Sequence, residues 1–128
     1  MENLINKNIS ILLVDDEPFI LNLTSKILNN LGYENLKTAQ DGNSALLKLV
    51  TSNSPFDLII CDMNMPEMDG YQVLEAIQKS DLPAIVIVIS GDIQPEAHAR
   101  VRELGALDFI EKPINNDKLT NILEQYGI

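Results

Sequence analysis

Three aspartates, a serine and a lysine follow short apolar stretches of the sequence, each at the point where such a stretch ends. Asp15 and Asp16 follow the first stretch, Asp62 follows a later one, and Ser90 and Lys112 follow the last two. Two carboxylates about 5 Å apart repel each other by roughly 3 kcal/mol at an effective dielectric constant near 20. Three aspartates that meet at one place must therefore shift their pKa values or bind a cation.

A hard divalent cation with oxygen ligands, Mg²⁺ above all, would balance the charge of the three carboxylates together with that of Lys112. With its charge neutralised, Asp62 could attack a phosphoryl donor as a carboxylate nucleophile. The metal ion and Lys112 would then stabilise the equatorial phosphoryl oxygens. The residue types therefore indicate phosphoryl chemistry, provided that the fold brings them together.

Each of these residues also has a simpler interpretation when it is taken alone. Asp16 could cap a helix and Asp62 could end a strand, because aspartate is common in both places. Ser90 could be a turn hydroxyl, and Lys112 could be a solvated surface charge. Cap and turn preferences do not, however, require all of these features to lie at the same edge of a sheet.

Short apolar runs predict the strands that would position these side chains. The three strongest runs are ISILLV from Ile9 to Val14, DLIIC from Asp57 to Cys61 and AIVIVI from Ala84 to Ile89. Two weaker strands are predicted at 36–39 and 107–110. Nearly continuous apolar runs are typical of strands buried on both faces, as in parallel sheets.

Helical patterns separate the strands, because apolar residues recur in them at the spacing of one helix face. These positions are, helix by helix, Ile20, Leu23, Ile27, Leu28 and Leu31; Ala45, Leu46, Leu49 and Val50; Val73, Leu74 and Ile77; Ala97, Val101 and Leu104; and Leu119, Ile122 and Leu123. Five strands alternating with five helices predict an α/β fold, a doubly wound parallel sheet with helices on both faces. Ligands of such sheets bind outside the carboxyl ends of the strands, where the polar side chains are predicted to lie.

The composition limits the kind of protein this chain can be. It has 128 residues, a formal net charge of -10 and one cysteine, Cys61. A surface this acidic repels phosphate backbones, so direct binding of nucleic acid is not expected. The first residues do not resemble a signal peptide, and the longest apolar run is too short to cross a membrane. We therefore expect a cytoplasmic protein of one domain, in which Cys61 is a buried, reduced thiol.

Four motifs resemble, in order and spacing, the receiver domains of two-component response regulators. They are ILLVDDEP, DLIICDMNMPEMDG, VIVISGD and GALDFIEKPI, and the resemblance covers the chain from about Ile9 to Ile122. It implies a receiver domain of the single-domain chemotaxis type, with no output domain within residues 1–128. It also implies a flavodoxin-like sheet with strand order 2-1-3-4-5.

The resemblance implies phosphoryl-handling roles for three residues. Asp62 resembles the phosphoacceptor. Ser90 resembles the hydroxyl that bonds a phosphoryl oxygen, and Lys112 resembles the lysine that pairs with the phosphoryl group. The family also has a cis peptide bond before the proline that follows this lysine, here Pro113.

The resemblance implies a Mg²⁺ site and a pair of positions that tune the lifetime of the acyl phosphate. Asp16, Asp62 and the backbone carbonyl of Asn64 would bind the ion, and Asp15 would act through water. Asn64 and Asp92 would flank the path of the attacking water. Because both of those side chains are short and polar, fairly rapid self-dephosphorylation is expected.

The implied function is a phosphorylation switch and not an enzyme that turns over a substrate. A sensor histidine kinase or a phosphotransfer protein would pass a phosphoryl group to Asp62, and the added charge would draw in Ser90 and Lys112. Phe109, at the rotameric aromatic position of the family, would turn inward and change the surface of the fourth helix, fifth strand and fifth helix. A downstream protein would bind that face. The domain would be a monomer or a weak, phosphorylation-dependent dimer.

Two other functions fit parts of the pattern. A small Mg²⁺-dependent phosphatase of the haloacid-dehalogenase kind also uses an aspartate nucleophile, but it needs a second carboxylate two residues later, where this chain has Asn64. The other is a receiver-like docking module that is never phosphorylated, although every site position of the family carries a suitable residue. Away from the site, His98 is expected to be a solvated helix residue, and Met63, Met65 and Met68 are expected to pack the loop after Asp62.

Overall fold

Five short strands form one parallel sheet in the computed structural model, which describes residues 7–51, 56–65, 69–80, 82–91 and 94–128. The strands are β1 Ile11–Val14, β2 Leu36–Ala39, β3 Leu58–Asp62, β4 Ile85–Ser90 and β5 Asp108–Glu111. Neighbouring strands run parallel in the order β2-β1-β3-β4-β5. The predicted strand order 2-1-3-4-5 is therefore confirmed.

Five helices cover the two faces of this sheet, as predicted for a doubly wound fold. They are α1 Pro18–Asn30, α2 Gly42–Thr51, α3 Gly70–Lys79, α4 Pro95–Glu103 and α5 Asn116–Gln125. Alternate residues of a strand point to opposite faces. In β1, Leu12 and Val14 join the core beneath α2, α3 and α4, whereas Ile11 and Leu13 join the core beneath α1 and α5.

The strand register brings polar residues from four strands to one edge of the sheet. Val14, the last residue of β1, pairs with Cys61, so that Asp15 follows beside Asp62. On the other side of β3, Asp62 pairs with Ile89 of β4. Ser90, which ends β4, pairs with the residue that precedes Lys112. The fold thus gathers the predicted site residues at the carboxyl ends of the strands.

Local signals fix where the helices begin and end. At the start of α5 the Asn115 side chain accepts a hydrogen bond from the backbone N–H of Lys118, and at the start of α3 Asp69 and Gln72 form a capping box. After α1, Gly32 has a φ of 101°, a left-handed conformation that favours glycine. These signals set where α3 and α5 begin and where α1 ends.

One predicted core position is wrong. Val50 was expected on the buried face of α2, but 73% of its surface is exposed, whereas Ala45 is fully buried and Leu49 is partly buried. Successive helix residues are about 100° apart, so Val50 lies about 140° around the axis from Ala45, while Leu49 lies only about 40° away. The helix therefore buries a narrower stripe than the sequence pattern suggested. None of the described helices has the length and apolar character needed to cross a bilayer.

Candidate functional site

Three carboxylates meet at the carboxyl edge of the sheet. One oxygen from each of Asp15, Asp16 and Asp62 lies within 4.8 Å of the other two. Asp15 and Asp62 are buried, and Asp16 is the most accessible of the three. Asp16 does not cap α1, since that helix begins after Glu17 and has no side-chain capping bond. The simpler interpretation of Asp16 as a helix cap is therefore excluded.

The burial of Asp15 has an electrostatic cost. Burial raises the pKa of this carboxyl to about 6, against the lowering effect of a hydrogen bond from the backbone N–H of Glu17 at 2.9 Å. This value of about 6 also includes the charges of Asp62 and Asp16, which raise the pKa, and the charge of Lys112, which lowers it. A cation at the cluster would relieve this repulsion, and carboxylate oxygens are the ligands that Mg²⁺ prefers. The donor set therefore fits a magnesium ion.

The two oxygens of Asp62 have different surroundings. Oδ1 accepts hydrogen bonds from Lys112 Nζ at 2.8 Å and from the backbone N–H of Asn64 at 3.2 Å. Oδ2 is buried and has no hydrogen-bond partner among the described residues. Buried carboxylate oxygens are normally satisfied, so an unpartnered one calls for a functional explanation.

Lys112 is held at both its backbone and its side chain. Its backbone N–H donates to the carbonyl of Ser90 at 2.9 Å, and its ammonium reaches Asp62 with the side chain one-third exposed. Burial opposes the lysine charge, yet the hydrogen bond and the charge of Asp62 outweigh it and raise the pKa of Lys112. The Lys112 side chain therefore stays a cation at neutral pH. The peptide bond from Lys112 to Pro113 is cis, as the family resemblance implies.

A close approach between α3 and β3 supports the end of the Asp62 strand. A Cβ atom added to Gly70 would lie 2.6 Å from the Cα of Met63 and 2.8 Å from the carbonyl oxygen of Asp62. The Gly70 N–H also donates to the Met63 carbonyl at 3.1 Å. Because no side chain fits there, glycine lets the first turn of α3 lie directly against the residue that follows Asp62.

The other residues around Asp62 lie as expected where the structure describes them. Met63 and Met65 are buried and pack the loop, and Cys61 is fully buried. Burial raises the pKa of the Cys61 thiol, with the charge of Asp62 adding to the effect, so it stays protonated. The side chain of Asn64 is exposed. Asp92, expected to tune the phosphoryl lifetime, and Met68, expected to pack the loop, lie outside the described residues.

The expectation that His98 is solvated is wrong. This residue of α4 is half-buried and its ring stacks on Phe109 of β5, with ring centroids 3.5 Å apart and an angle of 21° between the planes. The Arg102 guanidinium also lies over the Phe109 ring, 5.2 Å from its centroid. Between His98 and Arg102 on α4, the Arg100 guanidinium lies 4.0 Å from the centroid of the Tyr71 ring in α3. The basic residues of α4 therefore attach this helix to its neighbours through aromatic rings.

Asp108 connects β5 to both flanking helices, and sequence reasoning missed it. Its carboxylate accepts a hydrogen bond from Tyr126 Oη at 2.6 Å and forms an ion pair with Arg102 at 3.2 Å. Burial alone would raise the pKa of Asp108, but the hydrogen bonds from Tyr126 and from the Phe109 backbone, with Arg102, lower it overall. A charged residue at the start of an apolar strand was the available signal.

A cleft of about 430 Å³ lies next to the carboxylates and was also missed. Its walls are mainly the apolar side chains of α1 and of the loop after β5, namely Phe19, Ile20, Leu23, Pro113 and Ile114, together with charged residues of the site. Phe19 is 74% exposed. The signal in the sequence was an aromatic residue in the first turn of α1 that falls outside its apolar face.

Comparisons with known proteins agree with this fold. The sequence model of the family described as "Response regulator receiver domain" matches residues 11–124. The chain is 36% identical over 122 residues to the sensor histidine kinase RcsC of Escherichia coli strain K12, covering 95% of this chain and 12% of that protein. It is also 36% identical over 109 residues to the chemotaxis protein CheY of Treponema pallidum, covering 85% of this chain and 76% of that protein.

Solved structures show the same likeness. Chemotaxis protein CheY4 of Vibrio cholerae superimposes with a TM-score of 0.83 at 31% identity, over 92% of this chain and 98% of that one. A chain of the CheX-CheY-BeF3-Mg²⁺ complex of Borrelia burgdorferi gives a TM-score of 0.85 at 30% identity, over 92% of this chain and 89% of that one.

The family match, together with a parallel sheet in the order 2-1-3-4-5 and an acidic cluster at its carboxyl edge, identifies a signalling domain of the two-component class. This chain belongs to the response regulator receiver domain family. Receiver domains act as signalling switches, are generally Mg²⁺-dependent, and interact with histidine kinases, phosphotransfer proteins and targets. The chain spans only about an eighth of the length of the RcsC relatives that it matches.

Proposed function

We propose that Asp62 is the phosphoacceptor of this receiver domain and that its phosphorylation switches a partner-binding surface. The observation that carries the proposal is the difference between the surroundings of the two Asp62 carboxylate oxygens. Lys112 holds Oδ1 at 2.8 Å, while Oδ2 is buried without a hydrogen-bond partner among the residues described. Oδ1 is therefore already engaged, whereas Oδ2 has no hydrogen bond to a described residue that an attack on phosphorus would have to break.

The acidic cluster supports a Mg²⁺ site at the same place. We assign Asp16, Asp62 and the backbone carbonyl of Asn64 as ligands, with Asp15 acting through water. A bound Mg²⁺ would neutralise part of the carboxylate charge and stabilise negative charge on the phosphoryl oxygens. The burial and raised pKa of Asp15 support this assignment, because a carboxylate buried next to Asp62 carries a free-energy cost that a cation offsets.

Phosphoryl transfer then follows from the positions of the chain's own residues. Asp62 Oδ2 attacks the phosphorus, the bond from phosphorus to the donor's leaving atom breaks, and an acyl phosphate forms on Asp62. Asp62 then carries roughly two negative charges instead of one. Lys112 is already in contact with the carboxylate and pairs with a phosphoryl oxygen, and the Ser90 hydroxyl donates to another.

The effect of phosphorylation would be transmitted to the partner-binding surface through the two loops that follow β4 and β5. Ser90 ends β4, and its carbonyl holds the backbone N–H of Lys112. A displacement of Ser90 toward the phosphoryl group therefore pulls on the loops that follow β4 and β5. Phe109 would leave its stack with His98 and turn inward, which changes the surface of α4, β5 and α5 that a downstream protein binds.

The apolar cleft lined by Phe19 supports docking of a protein that donates the phosphoryl group. A sensor histidine kinase or a phosphotransfer protein must bring a phosphohistidine to Asp62, and the apolar cleft beside the carboxylates offers a surface on which it can dock. The domain itself would be a monomer or a weak dimer whose association depends on phosphorylation. Asn64 would tune the lifetime of the acyl phosphate together with Asp92, through the access that these residues give to water.

The phosphatase alternative gains no support from the site. Its general acid and base would occupy position 64, where the side chain is an exposed amide that cannot accept and return a proton. Rapid consumption of a phosphodonor without a phosphorylated protein would nevertheless favour a phosphatase. Both the mass of the protein and the amount of remaining phosphodonor therefore have to be measured.

The test is incubation with acetyl phosphate and Mg²⁺, followed by intact mass measurement and by assay of the remaining acetyl phosphate. The parent and a control variant, Asp117→Asn on the exposed start of α5, should each gain one phosphoryl group. Asp62→Asn should gain none, and EDTA should abolish the gain in the parent. A parent that neither gains mass nor consumes acetyl phosphate contradicts the proposal and favours the docking module.

A further inference from the structure

A lysine of α5 contacts the loop that carries Lys112 and has no role in the function proposed above. Lys118 Nζ donates to the carbonyl oxygen of Glu111 at 3.1 Å and to that of Pro113 at 3.2 Å. The Asn115 side chain accepts from the Lys118 backbone N–H at 2.9 Å and so fixes the turn of helix from which this side chain starts.

These two carbonyls lie on either side of Lys112. The carbonyl of Glu111 belongs to the peptide bond that precedes Lys112, and Pro113 is the residue after it. Since the Lys112 N–H already donates to Ser90, the backbone around Lys112 is held at three points, two of them by one ammonium group. Both hydrogen bonds come from one ammonium group, so a single side chain of α5 restrains the backbone on either side of Lys112.

We propose that Lys118 is a positioning residue for phosphoryl transfer, which keeps the Lys112 ammonium on Asp62 by fixing the backbone on both sides of Lys112. This inference rests on the proposed function of Asp62. It adds that a side chain from α5, outside the acidic site, sets the geometry of the lysine that pairs with the phosphoryl group.

The attachment of α5 to the domain does not depend on this ammonium group. Leu119, Ile122 and Leu123 are buried in the core beneath α1 and α5, and Asn115 caps the helix. Removing the ammonium should therefore leave the helix in place and loosen only the loop around Lys112. A small displacement of a group that contacts the reacting atoms has a large effect on rate.

The experiment compares phosphorylation rates of full-length variants with acetyl phosphate at saturating Mg²⁺, followed by intact mass. Lys118→Met keeps a side chain of similar length without donors, and it should slow phosphorylation roughly tenfold. Lys118→Arg restores a cation and should bring the rate back toward that of the parent. Lys26→Met removes an exposed lysine from α1 and should have no effect. The Mg²⁺ concentration that gives half the maximal rate should be unchanged in all of them.

Chemical rescue separates a positioning role from a structural one. Lys118→Cys presents a thiol that 2-bromoethylamine converts to a lysine analogue with an ammonium at nearly the original distance, whereas 1-iodopropane adds a chain of the same length without hydrogen-bond donors. Cys61 is fully buried with a raised thiol pKa, so alkylation of the folded protein is selective for position 118. The aminoethyl form should recover most of the parent rate, and the propyl form should stay slow.

Several results would overturn the inference while leaving the proposed function intact. These are a Lys118→Met rate equal to that of the parent, an aminoethyl form as slow as the propyl form, or Lys118→Met and Lys118→Cys proteins that are unfolded at the assay temperature. A parent protein that is never phosphorylated would instead overturn the proposed function, and this inference with it.

Discussion

The ring of His98 lies face to face with the ring of Phe109, with centroids 3.5 Å apart and an angle of 21° between the planes. This contact joins α4 to β5 on the surface that we assign to partner binding. Val101 is the only residue of α4 that the structure describes as buried. The stack is therefore a large part of what attaches the helix, and the inward turn of Phe109 has to break it.

Replacing His98 should favour the switched state. Aromatic pairs contribute roughly 0.5–1.5 kcal/mol, so His98→Ala should bind the phosphoryl mimic beryllofluoride about two- to tenfold more tightly in the presence of Mg²⁺. Titration followed by fluorine NMR measures this affinity. Glu103→Ala, an exposed change at the end of the same helix, is the control. An affinity equal to the parent's, or weaker, would show that the stack does not oppose switching.

Stability should depend on pH through Asp108. The folded protein holds the pKa of this carboxyl below its ordinary value of 3.8. The stabilisation is therefore fully present above about pH 4 and is lost as the pH falls through the folded pKa. Asp108→Asn should lower the Tm by about 3 °C at pH 7, and the difference should become progressively smaller as the pH falls below about 4. Thermal unfolding from pH 3 to 7 measures it, with Glu124→Gln as a control, and a constant difference across this range would contradict the account.

Gly70 should tolerate no side chain. In Gly70→Ala the new methyl would meet the backbone at the end of β3, 2.6 Å from the Met63 Cα, so the loop after Asp62 must shift. Overpacking of this kind costs about 1–3 kcal/mol of unfolding free energy. Urea denaturation measures the loss. Gly91→Ala, whose methyl would meet nothing closer than the Lys112 Cδ at 3.8 Å, should be near the parent, and equal stability of the two variants would refute the packing explanation.

Mg²⁺ should stabilise the parent but not a variant that lacks Asp16. A ligand that binds only the folded protein contributes about 2.7 kcal/mol at one hundred times its dissociation constant, so Mg²⁺ should raise the Tm by several degrees and EDTA should reverse the rise. Asp16→Asn removes one of three repelling carboxylates. It should melt about 2 °C above the parent without Mg²⁺ and gain little on its addition. A variant with the parent's full response to Mg²⁺ would exclude Asp16 as a ligand.

The sheet and the meeting of the site residues could be predicted from sequence because both follow from local patterns. The strand at 36–39 lies where the sequence predicts it, and the carboxyl ends of parallel strands necessarily share one edge. Asp15, Asp16 and Asp62 therefore meet as expected. That the Lys112 ammonium contacts Asp62 is likewise consistent with its predicted place after the last strand.

The features that sequence missed depend on the direction of long side chains in three dimensions. His98 lies among charged residues of a polar helix, and only the placement of α4 beside β5 turns its ring onto Phe109. The ammonium of Lys118 reaches back over five and seven residues to two carbonyls, a contact that no periodic pattern encodes. Val50 fits the apolar spacing of α2, yet the neighbouring elements do not cover it.

The most direct test of the central claim is to identify the residue that carries the phosphoryl group. The protein is phosphorylated with acetyl phosphate and Mg²⁺, reduced with borohydride, digested and sequenced by mass spectrometry, because borohydride converts an aspartyl phosphate to homoserine. We expect homoserine at position 62 and nowhere else. Homoserine at position 15 or 16, or a phosphorylated protein that yields none, would contradict the assignment of Asp62 as the phosphoacceptor.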